Sequence, residues 1–126
     1  MLVAYEVALD LVRALRAVVA QLRSYSPDAA EQVERAASSI VLNLAEGDRR
    51  HGRDPRRFWA IAHGSAAEIR GALDLADAWG WQIESAQARA LLGRELGLLW
   101  GLTRRTRSRA TPELPAPAPN ARVSRR

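Results

Sequence analysis

Residues 35–47 read RAASSIVLNLAEG and combine a helical apolar pattern with polar residues at positions that a helix would bury. Spacings of three and four residues place Val33, Ala36 and Ile40 on one face, and the next position on that face is Asn43. A buried amide or hydroxyl without a partner costs about 1–3 kcal/mol. The pattern therefore predicts that the polar residues of this helix bond to one another or to a neighbouring helix.

Matching polar residues occur in the next helical segment, within the run IAHGSAAEIRG at residues 61–71. Two helices joined by a short loop pack as antiparallel neighbours, so Ser65 and Glu68 are expected opposite the polar residues of the first stretch. The predicted buried polar seam consists of Arg35, Ser39, Asn43, Glu46, Ser65 and Glu68. It is either a lock on helix register or the lining of a functional pocket, and the residues alone leave both open.

Apolar patterning with a period of 3.6 residues predicts four helices, over about residues 2–23, 27–46, 55–80 and 85–108. Ser26, Asp54 and Ser85 stand where N-caps are expected, and Gly47 is expected to end the second helix in a left-handed conformation. Short connections between four such helices predict an all-α, antiparallel up-down-up-down four-helix bundle over residues 1–108.

Several features of the sequence indicate self-association. Alanine supplies 24 of the 126 residues, and it buries little area, so the core of one chain is expected to be thin. Gly93, Gly97 and Gly101 recur every four residues, which indicates a groove for the first helix or for a neighbouring subunit, or simple tolerance of glycine. We expect Trp59, Trp79, Trp81 and Trp100 in the core or at a subunit interface, away from the arginines.

The positive charge is concentrated in two segments, and all 19 basic residues are arginines. Residues 47–57 contain five arginines and two aspartates, and residues 104–126 contain seven arginines and one glutamate. In an antiparallel bundle, the loop after the second helix and the end of the fourth helix lie at the same end. Residues 109–126 are rich in proline and lack apolar periodicity, so they are predicted to form a disordered basic tail.

This basic end predicts binding of RNA or DNA, because the planar arginine side chain donates two parallel hydrogen bonds to phosphate. The predicted nucleic-acid-binding residues are Arg49, Arg50, Arg53, Arg56, Arg57, Arg104, Arg105, Arg107 and Arg109. Arginines at the end of a helix also interact favourably with its dipole, so Arg104 and Arg105 have a second explanation. A scaffold that binds another protein, without direct contact to nucleic acid, is the alternative function.

The rest of the composition argues against catalysis and metal binding. The chain has no cysteine, and neither His51 nor His63 has the glutamate three residues earlier that a di-iron helix pair requires. No run of about 18 apolar residues is present, and the N-terminus lacks the basic start of a signal peptide. We therefore expect a non-enzymatic cytoplasmic protein with no catalytic residues, no metal, no cofactor and no membrane partner.

Two motifs carry a family resemblance. Residues 35–47 match R-A-x-x-S-I-x-x-N-[IL]-A-E-G, and residues 58–68 match F-x-x-[IL]-A-x-G-S-x-x-E. With the basic loop between them, these motifs resemble the bacterial four-helix-bundle family encoded by intervening sequences in 23S rRNA genes.

The resemblance implies a function as well as a fold. Members of this family form bundles that assemble into homopentamers and do not resemble enzymes. A related protein, the accessory variability protein of diversity-generating retroelements, forms a basic pentameric barrel that binds nucleic acid and a reverse transcriptase. The partners implied for this chain are therefore other copies of itself, RNA or DNA, and a reverse transcriptase.

Overall fold

The computed structural model describes residues 2–49 and 54–110, with side chains described as far as Arg104. These residues form four α-helices: α1 (Val3–Tyr25), α2 (Pro27–Asp48), α3 (Arg56–Trp79) and α4 (Ala86–Ala110). The described ranges contain no strand. The predicted all-α four-helix bundle is therefore confirmed.

The helix ends follow local capping chemistry in most places. Ser26 begins α2, because its Oγ accepts a hydrogen bond from the Ala29 backbone N–H at 3.1 Å and Pro27 fills the first helical position. The prediction that Asp54 is the N-cap of α3 is wrong by one residue, because Pro55 takes that position and α3 begins at Arg56; Asp54 Oδ1 still accepts a hydrogen bond from the Arg56 backbone N–H at 3.0 Å. Gly80 ends α3 in the left-handed region, with φ of 83°.

Adjacent helices run antiparallel and pack in a closed ring in the order α1, α2, α3, α4. Ser39 pairs with Ser65, and Gly47 lies against Trp59, so the C-terminal half of α2 meets the N-terminal half of α3. At the far end of the bundle, the Glu84 backbone N–H donates to Gln21 Oε1 at 2.7 Å. The end of α1 therefore lies beside the start of α4.

Gly47 lies inside α2, and the prediction that it ends the helix in a left-handed conformation is wrong. Its Cα packs against the buried indole of Trp59. A Cβ at position 47 would lie 2.7 Å from Trp59 Cη2 and 2.9 Å from Cε3. Glycine is required here because a neighbouring helix approaches closely, and α2 continues to Asp48.

The core of the described residues is built from small and aliphatic side chains and from Trp59, and its one charged-type residue is Glu95 of α4, which is 0% exposed. Neither carboxyl oxygen of Glu95 has a hydrogen-bond partner among the described residues. Burial raises the pKa of this carboxyl to about 8, although the positive charge of Arg94 acts in the opposite direction. Glu95 is therefore largely protonated at neutral pH and is held uncharged in the core.

Two further expectations concern the ends of the chain and membranes. α4 continues to Ala110, two residues past the predicted boundary at 108, so Arg109 is part of the helix rather than of a tail. The predicted disorder of the segment beyond it lies outside the described residues. Across the described residues, no helix combines the length and apolar character that a membrane span needs.

The contact between Gly47 and Trp59 predicts a difference between two glycine-to-alanine substitutions. Gly47→Ala should lower the free energy of unfolding, because overpacking of this kind costs about 1–3 kcal/mol. Gly71→Ala is the matched control, since a Cβ there meets nothing within 4 Å and alanine favours helix by about 0.5–1 kcal/mol. Urea unfolding at one protein concentration measures both. Equal shifts for the two variants would contradict the packing.

The buried carboxyl of Glu95 predicts a specific pH dependence of stability. The folded chain keeps this proton up to a pH of about 8, whereas the unfolded chain releases it near the ordinary glutamate pKa of 4.5. The folded state therefore binds more protons between these values, and the free energy of unfolding falls as the pH rises through this window.

Glu95→Gln removes the titrating group and keeps the shape. Its free energy of unfolding relative to wild type should increase from pH 4.5 to pH 8, on the order of a few kcal/mol in total. Glu95→Leu should also be more stable than wild type at pH 8, because it removes the buried polar group. A difference between wild type and Glu95→Gln that stays constant across this range would show that Glu95 is not buried as described.

Candidate nucleic-acid interface

Four described arginines lie at one end of the bundle, which we call the arginine-rich end. Arg49 follows the last residue of α2, Arg56 and Arg57 begin α3, and Arg104 lies in the last two turns of α4. α3 and α4 are antiparallel, because Arg89 pairs with Asp74 at 3.0 Å and Trp100 lies beside His63. The two arginine-dense segments therefore meet at a common end, as the sequence predicts.

The arginines at this end differ in their partners. Arg56 pairs with Asp54, from Nε to Oδ2 at 2.6 Å, and Arg49 Nη1 lies 3.5 Å from Glu46 Oε1. The hydrogen bond from the Arg56 backbone N–H, together with its guanidinium, holds the pKa of Asp54 below its ordinary value. Both ion pairs are at least partly open to water, so they contribute little to stability.

Arg57 and Arg104 contact aromatic rings. The guanidinium carbon of Arg57 lies 5.5 Å from the centre of the Phe58 ring, and that of Arg104 lies 5.5 Å from the centre of the Trp100 ring. Both side chains are exposed, and neither pairs with a carboxylate among the described residues. Their hydrogen-bond donors therefore remain available to an anion.

The structure describes the other predicted arginines only in part. Arg50 and Arg53 lie outside the described residues. Arg105, Arg107 and Arg109 belong to α4, and only their backbone is described. His63 lies beside Trp100, and the two helices are antiparallel, so residue 107 is about level with Arg56. The last turn of α4 therefore extends past the start of α3.

Three residues of the predicted polar seam come together between α2 and α3. The Ser65 Oγ donates to the Ser39 Oγ at 2.8 Å, and the Asn43 Nδ2 donates to the Ser39 backbone oxygen at 2.9 Å and to its Oγ at 3.1 Å. All three side chains are half-buried, and Leu44 takes the fully buried position beside Asn43. Of these three hydrogen bonds, the two from Asn43 stay within α2, and the one between the two serines joins α2 to α3.

The other members of the predicted seam lie elsewhere. Arg35 and Glu68 are exposed, so the prediction that they are buried is wrong. The buried face of α3 runs through Ala62, Ala66 and Ile69, which turns Glu68 outward. Glu46 is half-buried and lies near Arg49 at the arginine-rich end.

The tryptophans occupy both the core and the surface. Trp59 is buried, and Trp81 is half-buried and stacked on Tyr25 with the ring centres 5.5 Å apart. Trp79 is 67% exposed and Trp100 is 52% exposed, so a place in the core of this chain is wrong for both. Because Arg104 lies over Trp100, the expectation that the tryptophans lie away from the arginines is also wrong.

The fourth-helix glycines do not pack closely against the same chain. A Cβ built on Gly93, Gly97 or Gly101 would meet no atom of the described residues within 4 Å. The interpretation of these glycines as a groove for α1 is therefore wrong. A groove for a neighbouring subunit and simple tolerance of glycine both remain as interpretations.

The comparison with protein families agrees with the fold and with the two sequence motifs. A model described as 23S rRNA-intervening sequence protein matches residues 1–93, which cover α1, α2, α3 and the first part of α4. The match includes both motifs and ends before Trp100 and Arg104. No curated protein shows significant similarity to the chain. Since the family model covers most of its length, this chain belongs to the 23S rRNA-intervening sequence protein family.

Proposed function

We propose that this protein is a self-assembling, non-enzymatic cytoplasmic scaffold that binds RNA or DNA through its arginine-rich end. One observation carries the proposal: the ends of α2 and α4 and the start of α3 bring arginines together, and two of these arginines have no carboxylate partner among the described residues. A guanidinium group without a carboxylate partner can donate its hydrogen bonds to phosphate, which offers several acceptor oxygens in a compact group.

The proposed contact is to the nucleic-acid backbone. Phosphate contacts position a protein on nucleic acid without reading its sequence, and each neutralised phosphate releases counterions. Binding should therefore weaken steeply as the salt concentration rises. The backbone of α4 continues from Arg104 to Ala110, so Arg105, Arg107 and Arg109 follow Arg104 on the same helix.

Self-assembly is supported by the apolar side chains on the outer surface. Leu42, Ile61 and Leu75 are exposed. The core of a single chain contains many small side chains and buries little apolar area per residue. Burial of the exposed apolar side chains between copies would therefore add to stability. A homopentamer is the assembly that the family resemblance implies, and it would repeat the arginine-rich end five times. Association with a reverse transcriptase stays a prediction of the resemblance.

Fluorescence anisotropy with labelled RNA and DNA at several salt concentrations tests the nucleic-acid proposal. The triple variant Arg49→Ala, Arg57→Ala and Arg104→Ala should bind roughly tenfold or more weakly at low salt, with a shallower salt dependence, because phosphate contacts are lost. The matched control removes Arg16, Arg35 and Arg70, which are exposed and lie away from this end. This control variant loses the same three positive charges, and its affinity for RNA and DNA should stay near that of wild type.

Light scattering on the same samples measures the assembly state. The wild type and both triple variants should have a mass well above the 13.9 kDa of one chain. Equal losses of affinity in the two triple variants would show a general charge effect rather than a site. An assembled wild type that binds neither RNA nor DNA at low salt would leave the protein-binding scaffold as the function.

A further inference from the structure

Trp100 combines exposure with a position beside the arginine-rich end. Its side chain is 52% exposed, and it lies one helical turn before Arg104, whose guanidinium carbon is 5.5 Å from the ring centre. From α3, the half-buried His63 approaches with its ring centre 6.5 Å away and tilted by 48°. An aromatic ring, an imidazole and a guanidinium thus form one cluster on the α3–α4 face.

The surface of α4 next to Trp100 is open. Gly97 and Gly93 lie three and seven residues before Trp100, so the three positions share a face of the helix. In the part of the chain that the structure describes, a Cβ built on either glycine would meet nothing within 4 Å. A flat group that lies against the indole can therefore extend over the bare backbone of α4 without meeting a side chain at these positions.

The chemistry of this patch fits an unpaired nucleobase. The indole and imidazole offer flat surfaces for stacking, and Arg104 offers hydrogen bonds to an adjacent phosphate. A polyanion would neutralise the positive charge that Arg104 brings to this surface. The bases of a duplex are stacked on each other, so only a single strand can present a base to this ring.

We propose that Trp100, His63 and Arg104 form a stacking site for an unpaired base, which gives the arginine-rich end a preference for single-stranded nucleic acid. The proposal rests on the function proposed above and adds a substrate class to it. His63 lies within the residues that the family model matches, whereas Trp100 and Arg104 lie beyond them.

The experiment compares two fluorescein-labelled probes of equal length, a 15-nucleotide oligouridine and an RNA duplex, at one salt concentration. Wild type should bind the single strand more tightly. Trp100→Ala should weaken single-strand binding by about 5- to 150-fold, the range for loss of one base stacked on an aromatic ring, and leave duplex binding within twofold. Trp79→Ala is the matched control, because Trp79 is 67% exposed and lies at the opposite end; it should change neither affinity.

Two further variants separate stacking from folding and assembly. Trp100→Phe should retain most of the single-strand affinity, whereas Trp100→Leu keeps an apolar side chain without an aromatic ring and should lose it. Circular dichroism and light scattering check that each variant remains helical and assembled. Single-strand binding should also quench tryptophan emission in wild type, and much less in Trp100→Phe.

Several results would overturn the proposal. Trp100→Ala could weaken single-strand and duplex binding equally, or leave both unchanged. It could instead lower the mass of the assembly, which would identify the patch as a contact between copies. If wild type binds neither probe at low salt, the function proposed above fails and this inference fails with it; duplex binding with no single-strand preference removes only the stacking site.

Discussion

The contact between the backbone of Gly47 and the buried ring of Trp59 fixes the end of α2 against the start of α3, and the remaining geometry depends on it. The serine pair between Ser39 and Ser65, two turns further along, holds the same register with a hydrogen bond. Because α2 and α3 pack together here, Arg49 and Arg57 both lie at the arginine-rich end. The packing of α4 against α3 then adds Arg104.

Sequence periodicity predicted the four helices and their order, because the apolar spacing repeats over several turns in each. It misread Gly47, since a glycine after a helical pattern resembles a terminator and only the neighbouring Trp59 shows that it fills a close contact. Arg35 and Glu68 were misplaced for a related reason. A polar residue one position from the apolar face is a candidate for burial until the packing of the helix is known.

The burial of Glu95 and the exposure of Trp100 were not predicted from the sequence. Glu95 lies between Leu92 and Leu99 at spacings of three and four, so the apolar register of α4 contained a signal, but a glutamate there is normally assigned to the surface. Trp100 presents the reverse case, because a large aromatic residue is normally assigned to a core or an interface. Its exposure beside Arg104 follows from the rotation of α4 about its axis, which local sequence does not specify.

The most direct test of the account measures whether the two arginine-dense segments meet at one end. The chain has no cysteine, so spin labels can be placed by Arg57→Cys with Arg104→Cys, and by Ala78→Cys with Arg104→Cys. Dilution with unlabelled chain limits the measured distances to one molecule. The account predicts a separation below about 25 Å for the first pair, since neighbouring helix axes lie about 8–10 Å apart. It predicts about 30 Å or more for the second pair, because the register places Arg104 about level with residue 59, and the 19 residues from there to residue 78 span about 28 Å along the helix axis. A long distance for the first pair and a short one for the second would contradict the shared arginine-rich end.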